Sequence, residues 1–250
     1  MYGQDGSANT VVGLWDLNGD GLPDRVLRKQ SSPYDKFSVQ FNNGAGFEPL
    51  EDWGPLDTQG QGGSGWGSPV ATSSGNTFAT LVDINGDGLI DRVMRKPSSP
   101  YTNFVVQINT GAGFITNGVN WIGVSSQGQT DSEWNSIVKT GSGDTSVDFL
   151  DVNGDGLPDR IMRKFSNPYT HYVVQLNKGQ VPDMLNTIQN GIGGKVQVTY
   201  IPSTRSTTAT APGAATPGTT MPAASCPSRS TWSIRSPPST APPTSLPRTR

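Results

Sequence analysis

Three stretches of this chain carry oxygen-bearing side chains at a spacing that suits a hard cation: Asp16-Leu-Asn-Gly-Asp-Gly-Leu-Pro-Asp-Arg25, Asp83-Ile-Asn-Gly-Asp-Gly-Leu-Ile-Asp-Arg92 and Asp151-Val-Asn-Gly-Asp-Gly-Leu-Pro-Asp-Arg160. With Asp16 as position 1, Asp16, Asn18, Asp20 and Asp24 fall at positions 1, 3, 5 and 9, and the main-chain carbonyl of Leu22 falls at position 7. Calcium takes roughly six to eight oxygen ligands at about 2.3–2.6 Å, and alternate residues of a tight loop can supply them. The same roles fall to Asp83, Asn85, Asp87, Leu89 and Asp91, and to Asp151, Asn153, Asp155, Leu157 and Asp159. Carboxylates crowded into one turn repel one another without a cation, so about three calcium ions per chain are expected. Magnesium fits less well, because it keeps more water and demands stricter octahedral geometry. An EF-hand would place a bidentate Glu at position 12, where this chain has Leu27, Met94 and Met162 inside expected strands.

The elements that must hold these loops repeat with them. The loop starts lie 67 and 68 residues apart, and each loop leads into Val26-Leu-Arg-Lys, Val93-Met-Arg-Lys or Ile161-Met-Arg-Lys. A Pro-Tyr pair follows, ending at Tyr34, Tyr101 or Tyr169, and then Phe37-Ser-Val-Gln, Phe104-Val-Val-Gln or Tyr172-Val-Val-Gln. Apolar runs of four to six residues between Gly, Pro, Asn and Asp clusters read as strands and are too short for helices. The turns Asn43-Gly-Ala-Gly-Phe47 and Thr110-Gly-Ala-Gly-Phe114 feed a further strand in the first two units. A repeat of about four strands that cannot bury its own core is the logic of a propeller blade. The expected fold is therefore all-β, a partial β-propeller over residues 1–180. A following β segment is expected over 181–204, with a strand over Lys195–Ile201 and a hairpin turn at Asn190-Gly191. From 205 to 250 the chain is Ser, Thr, Pro, Ala and Arg with almost no core formers, which predicts a disordered or frame-shifted tail.

Composition excludes several functions. Only 32% of residues are hydrophobic and no apolar run approaches the roughly 20 residues of a membrane span. The single cysteine, Cys226, allows no intrachain disulfide, and no Cys/His cluster suits zinc. Residues 1–202 hold 13 basic against 20 acidic side chains, the wrong sign for a nucleic-acid binder. The basic start and apolar stretch of a secretory signal are lacking, so export would need another leader or route.

Other motifs read as structural. Gly60-Gln-Gly-Gly-Ser-Gly65 matches a dinucleotide fingerprint by letters, but no strand precedes it and Pro69 follows, so it reads as a flexible connection. His171 has no Ser or Cys nucleophile motif near it, and no catalytic residue is assigned. The sets Arg25, Arg28, Lys29; Arg92, Arg95, Lys96; and Arg160, Arg163, Lys164 are expected to balance carboxylates and pair with neighbouring blades.

The Asp-x-Asn-Gly-Asp-Gly-x-x-Asp loop, its strand and its Gly-Ala-Gly-Phe turn resemble the FG-GAP/VCBS repeats of integrin-type β-propellers. Pro182 to Thr204 resembles the segment after those repeats in bacterial Rhs-repeat and toxin-complex B-type proteins, related to virulence plasmid B protein. The resemblance implies a secreted or surface shell protein around a toxic C-terminal domain, in which this segment is a non-catalytic, calcium-binding scaffold. Its partners would be other blades or domains of a larger parent protein. A carbohydrate-binding, lectin-like propeller is the alternative, with Tyr34, Tyr101 and Tyr169 as sugar platforms and a glycan as ligand.

Overall fold

The computed structural model describes residues 2–129, 134–141, 143–179, 185 and 187–198. The chain divides into two compact units, Met1–Pro182 and Asp183–Arg250. The expected tail over 205–250 lies outside the described residues, as do Ile201 and its neighbours at the end of the expected last strand.

The first unit of the chain is an array of antiparallel strand repeats. Repeat 1 comprises β1 (Gly3–Gln4), β2 (Thr10–Trp15), β3 (Asp24–Arg28), β4 (Phe37–Gln40) and β5 (Glu51–Trp53), paired in sequence order as one sheet. Repeat 2 comprises β6 (Ala71–Ser73), β7 (Asn76–Val82), β8 (Asp91–Arg95), β9 (Asn103–Gln107) and β10 (Val119–Ile122). Repeat 3 comprises β11 (Val138–Gly141), β12 (Asp144–Leu150), β13 (Asp159–Arg163) and β14 (Tyr172–Gln175). Among the described residues the only helical element of this array is a single 3-10 turn at Ser64–Gly67. The fold is all-β and a partial propeller. Each repeat opens on a short leading strand, β1, β6 or β11, folded as a hairpin onto the strand that enters the acidic loop; with it repeats 1 and 2 have five strands against the expected four, and repeat 3 has four among the described residues.

That leading strand also links repeats. Val70 bridges Thr10 of repeat 1, and Val138 pairs with Thr77 of repeat 2, at equivalent positions of the period. Alternation along the strands sends one row of side chains into each seam. Between repeats 1 and 2 the core holds Leu17, Val26, Phe37, Val39, Trp53 and Leu56, closed by Leu81 and Phe114. Between repeats 2 and 3 it holds Ile84, Val93, Phe104, Val106 and Ile137, with Phe149 packed against it. Phe37 meets Phe114 edge-on at 6.1 Å between centroids, and Phe104 meets Phe149 at 6.0 Å. Apolar residues are thus buried chiefly between repeats, which is why one repeat alone lacks a core.

The Gly-Ala-Gly-Phe turns close as expected: Asn42 bridges Phe47 and Asn109 bridges Phe114, and the chain continues into β5 and β10. The second unit's described part is a hairpin of β15 (Thr187–Gln189) and β16 (Lys195–Gln197). Its turn is longer than the Asn190-Gly191 pair suggests. Asn190 Oδ1 accepts the amides of Ile192 and Gly194, and the left-handed residue is Gly193, at φ 89°. The asparagine side chain therefore organises the turn, and Gly191 does not supply its reversal.

Candidate functional site

Each acidic loop sits between the strand that enters a repeat and the strand that leaves it, β2 and β3 in the first case. The chain reverses through two left-handed glycines: Gly19 and Gly21, at φ 77° and 85°, with Gly86 and Gly88, and Gly154 and Gly156, matching them. A side chain on Gly19 would be strained by its φ and would also meet Leu89 Cδ2 of the next loop at 2.6 Å.

The expected ligand residues come together in two groups. Asp16, Asn18 and Asp20 bond to the loop's own amides and to one another. Asp16 accepts the amides of Gly19 and Gly21 at 2.8 Å each, Asp20 Oδ1 accepts that of Leu22 at 2.8 Å, and Asn18 Nδ2 donates to Asp20 Oδ2 at 2.9 Å. The second and third loops repeat this pattern through Asp83, Asn85, Asp87 and Leu89, and through Asp151, Asn153, Asp155 and Leu157.

Asp24, Asp91 and Asp159 form the second group. All three are fully buried. Asp24 accepts the amide of Leu17 at 2.9 Å and that of Asn42 at 2.9 Å, tying the loop entrance to the turn after β4. Asp91 does the same for Ile84 and Asn109, and Asp159 for Val152 and Asn177. Burial pushes the Asp91 carboxyl up to about 7; the Asn109 and Ile84 amides oppose the rise, and the charges of Asp87 and Asp83 add to it.

Among the described residues no three His, Cys, Asp or Glu side chains stand close enough together to form a ready-made metal group. The loops nonetheless fit a hard cation in donor chemistry, offering carboxylate, amide and main-chain oxygens. A carboxylate oxygen that accepts one amide hydrogen keeps a second lone pair, so the amide contacts and metal ligation are compatible.

The basic residues behave differently from the expectation that they balance the loop carboxylates. Arg92 is wholly buried, and its guanidinium donates to the main-chain carbonyls of Asp57 and Trp66 and to Gln107 Oε1. Arg160 repeats this with the carbonyls of Ser125 and Trp134 and with Gln175 Oε1. Burial lowers both guanidinium groups to about 10, which leaves them charged at neutral pH. Ion pairs form instead at Arg28 with Asp5, at 2.6 Å, and at Lys29 with Asp35, at 3.4 Å. The connection read from its glycines as flexible is thus tied to β8 and β9 by buried donors and acceptors.

The tyrosines are partly occupied. Arg95 lies over the Tyr101 ring at 5.4 Å, and Arg163 lies over Tyr169 at 5.6 Å, a cation–π arrangement that uses a face a sugar would need. His171 is exposed and contacts Thr170 Oγ1 at 3.3 Å, which is not a triad arrangement. Among the described residues no helix is long and apolar enough to cross a membrane.

An array of loop-bearing β repeats defines the class of protein; the comparisons narrow it for one part of the chain. Residues 130–225, less than half of the chain, match the family described as insecticide toxin TcdB middle/N-terminal region. The matched stretch takes in repeat 3 and runs past Thr204 into the Ser/Thr/Pro-rich segment. A chain of the Photorhabdus luminescens Tc holotoxin pore is similar at 18% identity and a TM-score of 0.45, over 75% of this chain and 7% of that one. The chain therefore spans a small fraction of that protein's length. No curated protein matches it significantly.

Proposed function

We propose that this chain is a calcium-stabilised, non-catalytic propeller segment that serves as scaffold in a secreted toxin complex of the B-component or Rhs-like kind. The observation that carries the reading is the threefold loop in which Asp16, Asn18 and Asp20, with their counterparts, recur at one spacing and with the same hydrogen bonds. The toxin-family match over residues 130–225 supplies the context. The ligands would be Asp16, Asn18, Asp20 and Asp24 with the Leu22 carbonyl, and the matching residues of the other two loops. Calcium would neutralise the loop carboxylates, and so would favour the folded state over the unfolded one.

Binding to the folded state alone adds RT ln(1 + [Ca]/Kd), about 2.7 kcal/mol per site at a hundredfold excess over Kd. Calorimetric titration with calcium, paired with thermal melts in calcium and in chelator, tests the reading. About three ions per chain and a clear rise in melting temperature are expected. An unchanged melt without heat of binding would leave the aspartates as turn formers and remove calcium from the function.

A further inference from the structure

The connections that enter repeats 2 and 3 are held in the same way, residue for residue. In repeat 2, Gln107 donates to the Pro55 carbonyl at 3.0 Å and accepts the Asp57 amide at 2.7 Å, while Arg92 takes the carbonyls of Asp57 and Trp66. In repeat 3, Gln175 donates to the Gly123 carbonyl at 2.7 Å and accepts the Ser125 amide at 2.9 Å, while Arg160 takes the carbonyls of Ser125 and Trp134. The tryptophan then covers an apolar pair on the strands beneath. Ala79 and Met94 are buried with Trp66 packed against them, and Val147 and Met162 are buried with Trp134.

Repeat 1 has the arginine, the glutamine and an apolar pair of this seat, with Leu27 standing where Met94 and Met162 accept from Arg92 and Arg160 through sulfur. Arg25 Nη1 donates to Gln40 Oε1 at 2.8 Å, and Gln40 Nε2 donates to the Glu48 carbonyl as Gln107 does to that of Ile115. Among the described residues, however, no main-chain segment runs through it. Arg25 is half-buried where Arg92 is fully buried and Arg160 is 4% exposed. Val12 and Leu27, which stand where Ala79 and Met94 do, are likewise only half-buried.

We propose that Arg25, Gln40, Val12 and Leu27 form a third, open copy of this seat, and that it binds an extended peptide segment ending in tryptophan, the connection of one further unit of the repeat. The ligand is recognised chiefly through its main chain. A carbonyl and, two residues on, an amide meet Gln40; that second residue's carbonyl and the tryptophan carbonyl meet Arg25. The indole closes over Val12 and Leu27. Between these points the two filled copies share Gln59-Gly60-Gln61 and Gln127-Gly128-Gln129, and Gln59 and Gln127 each donate to a strand carbonyl, that of Arg95 or Arg163, so the segment also carries a glutamine whose counterpart carbonyl in repeat 1 is that of Arg28. The inference rests on the repeat geometry and is independent of calcium.

The period sets the register of the test, because Ala71 of β6 pairs with Ala79 as Gly3 of β1 pairs with Val12. A copy of Gly54–Ser68 placed directly before Met1 of the full chain would therefore bring its tryptophan over Val12 and Leu27. Tethering raises its effective concentration into roughly the millimolar range. A higher melting temperature than for a graft of scrambled order is expected, lost when the grafted tryptophan becomes alanine or when the chain carries Arg25→Ala. As a second measurement, a labelled Gly54–Ser68 peptide is titrated against the ungrafted full chain by anisotropy. Saturable binding, weakened about tenfold by the tryptophan-to-alanine peptide, is expected. Equal stability of the true and scrambled grafts, or no saturable binding up to about 1 mM, would overturn the proposal. Because the peptide variants leave the chain untouched, a fold defect in Arg25→Ala cannot mask either result.

Discussion

Asp91 joins two roles that pull against each other. Its carboxylate holds the amides of Ile84 and Asn109 from a fully buried position, yet burial and the nearby charges of Asp87 and Asp83 raise its proton affinity to a pKa of about 7. A carboxyl whose folded pKa lies above its unfolded value binds more protons when folded, so it makes stability fall as pH rises through that window. Chelated protein is expected to lose stability between about pH 4 and pH 7. A cation in the loop favours the charged form, so calcium should flatten the slope; melts at several pH values with and without calcium check this, and a flat profile in chelator would contradict it. The loop residues were legible in the sequence because ligand chemistry repeats with the chain. The two roles of position 9 were not, since spacing shows which oxygens are available and not which amides reach them. Gly19 is a second residue-scale test. Gly19→Ala meets both a left-handed φ and Leu89, and a loss of about 1–2 kcal/mol is expected in urea unfolding.

At the scale of elements, the strands follow from short β-rich runs between turn formers, and all three loop-flanking hairpins fall where period and pattern place them. What the pattern could not show is how the glycine-rich connections are held, because a main-chain carbonyl leaves no mark in a sequence. The signal lies in residues that recur: Arg92 and Gln107 with Arg160 and Gln175 at strand positions that otherwise read as core, and Gln59 and Trp66 with Gln127 and Trp134 in the connections themselves. Removing the Arg92 side chain would strand the carbonyls of Asp57 and Trp66 and open a cavity, so Arg92→Ala is expected to cost about 3 kcal/mol. Arg25→Ala should cost less than about 1 kcal/mol in the ungrafted chain, since its side-chain bond to Gln40 is only part-buried. Asn109 couples neighbouring repeats by another route. Its Nδ2 donates to the Leu17 carbonyl at 2.8 Å, and Asn177 makes the same bond to Ile84, each reaching into the loop of the preceding repeat. Asn109→Ala should destabilise by about 1–3 kcal/mol, read from the urea midpoint.

For the whole molecule, stability is the sum of what each repeat contributes and what each seam adds. The seams hold the large apolar residues, so the same residue type should matter or not according to whether a preceding repeat is there to receive it. Phe47 and Phe114 provide the comparison. Both end a Gly-Ala-Gly-Phe turn, and both bridge an asparagine five residues earlier. Phe114 inserts into the core of repeat 1 against Phe37 and is 4% exposed, whereas Phe47 is 49% exposed. Phe114→Ala is expected to cost about 3–5 kcal/mol through lost burial and a cavity between sheets, and Phe47→Ala less than about 1 kcal/mol. Equal costs in urea unfolding would mean that the turns, and not the seams, carry the energy. If a further repeat occupies the open side of repeat 1, the Phe47 cost should rise toward that of Phe114, because a seam formed there would bury Phe47 as the first seam buries Phe114.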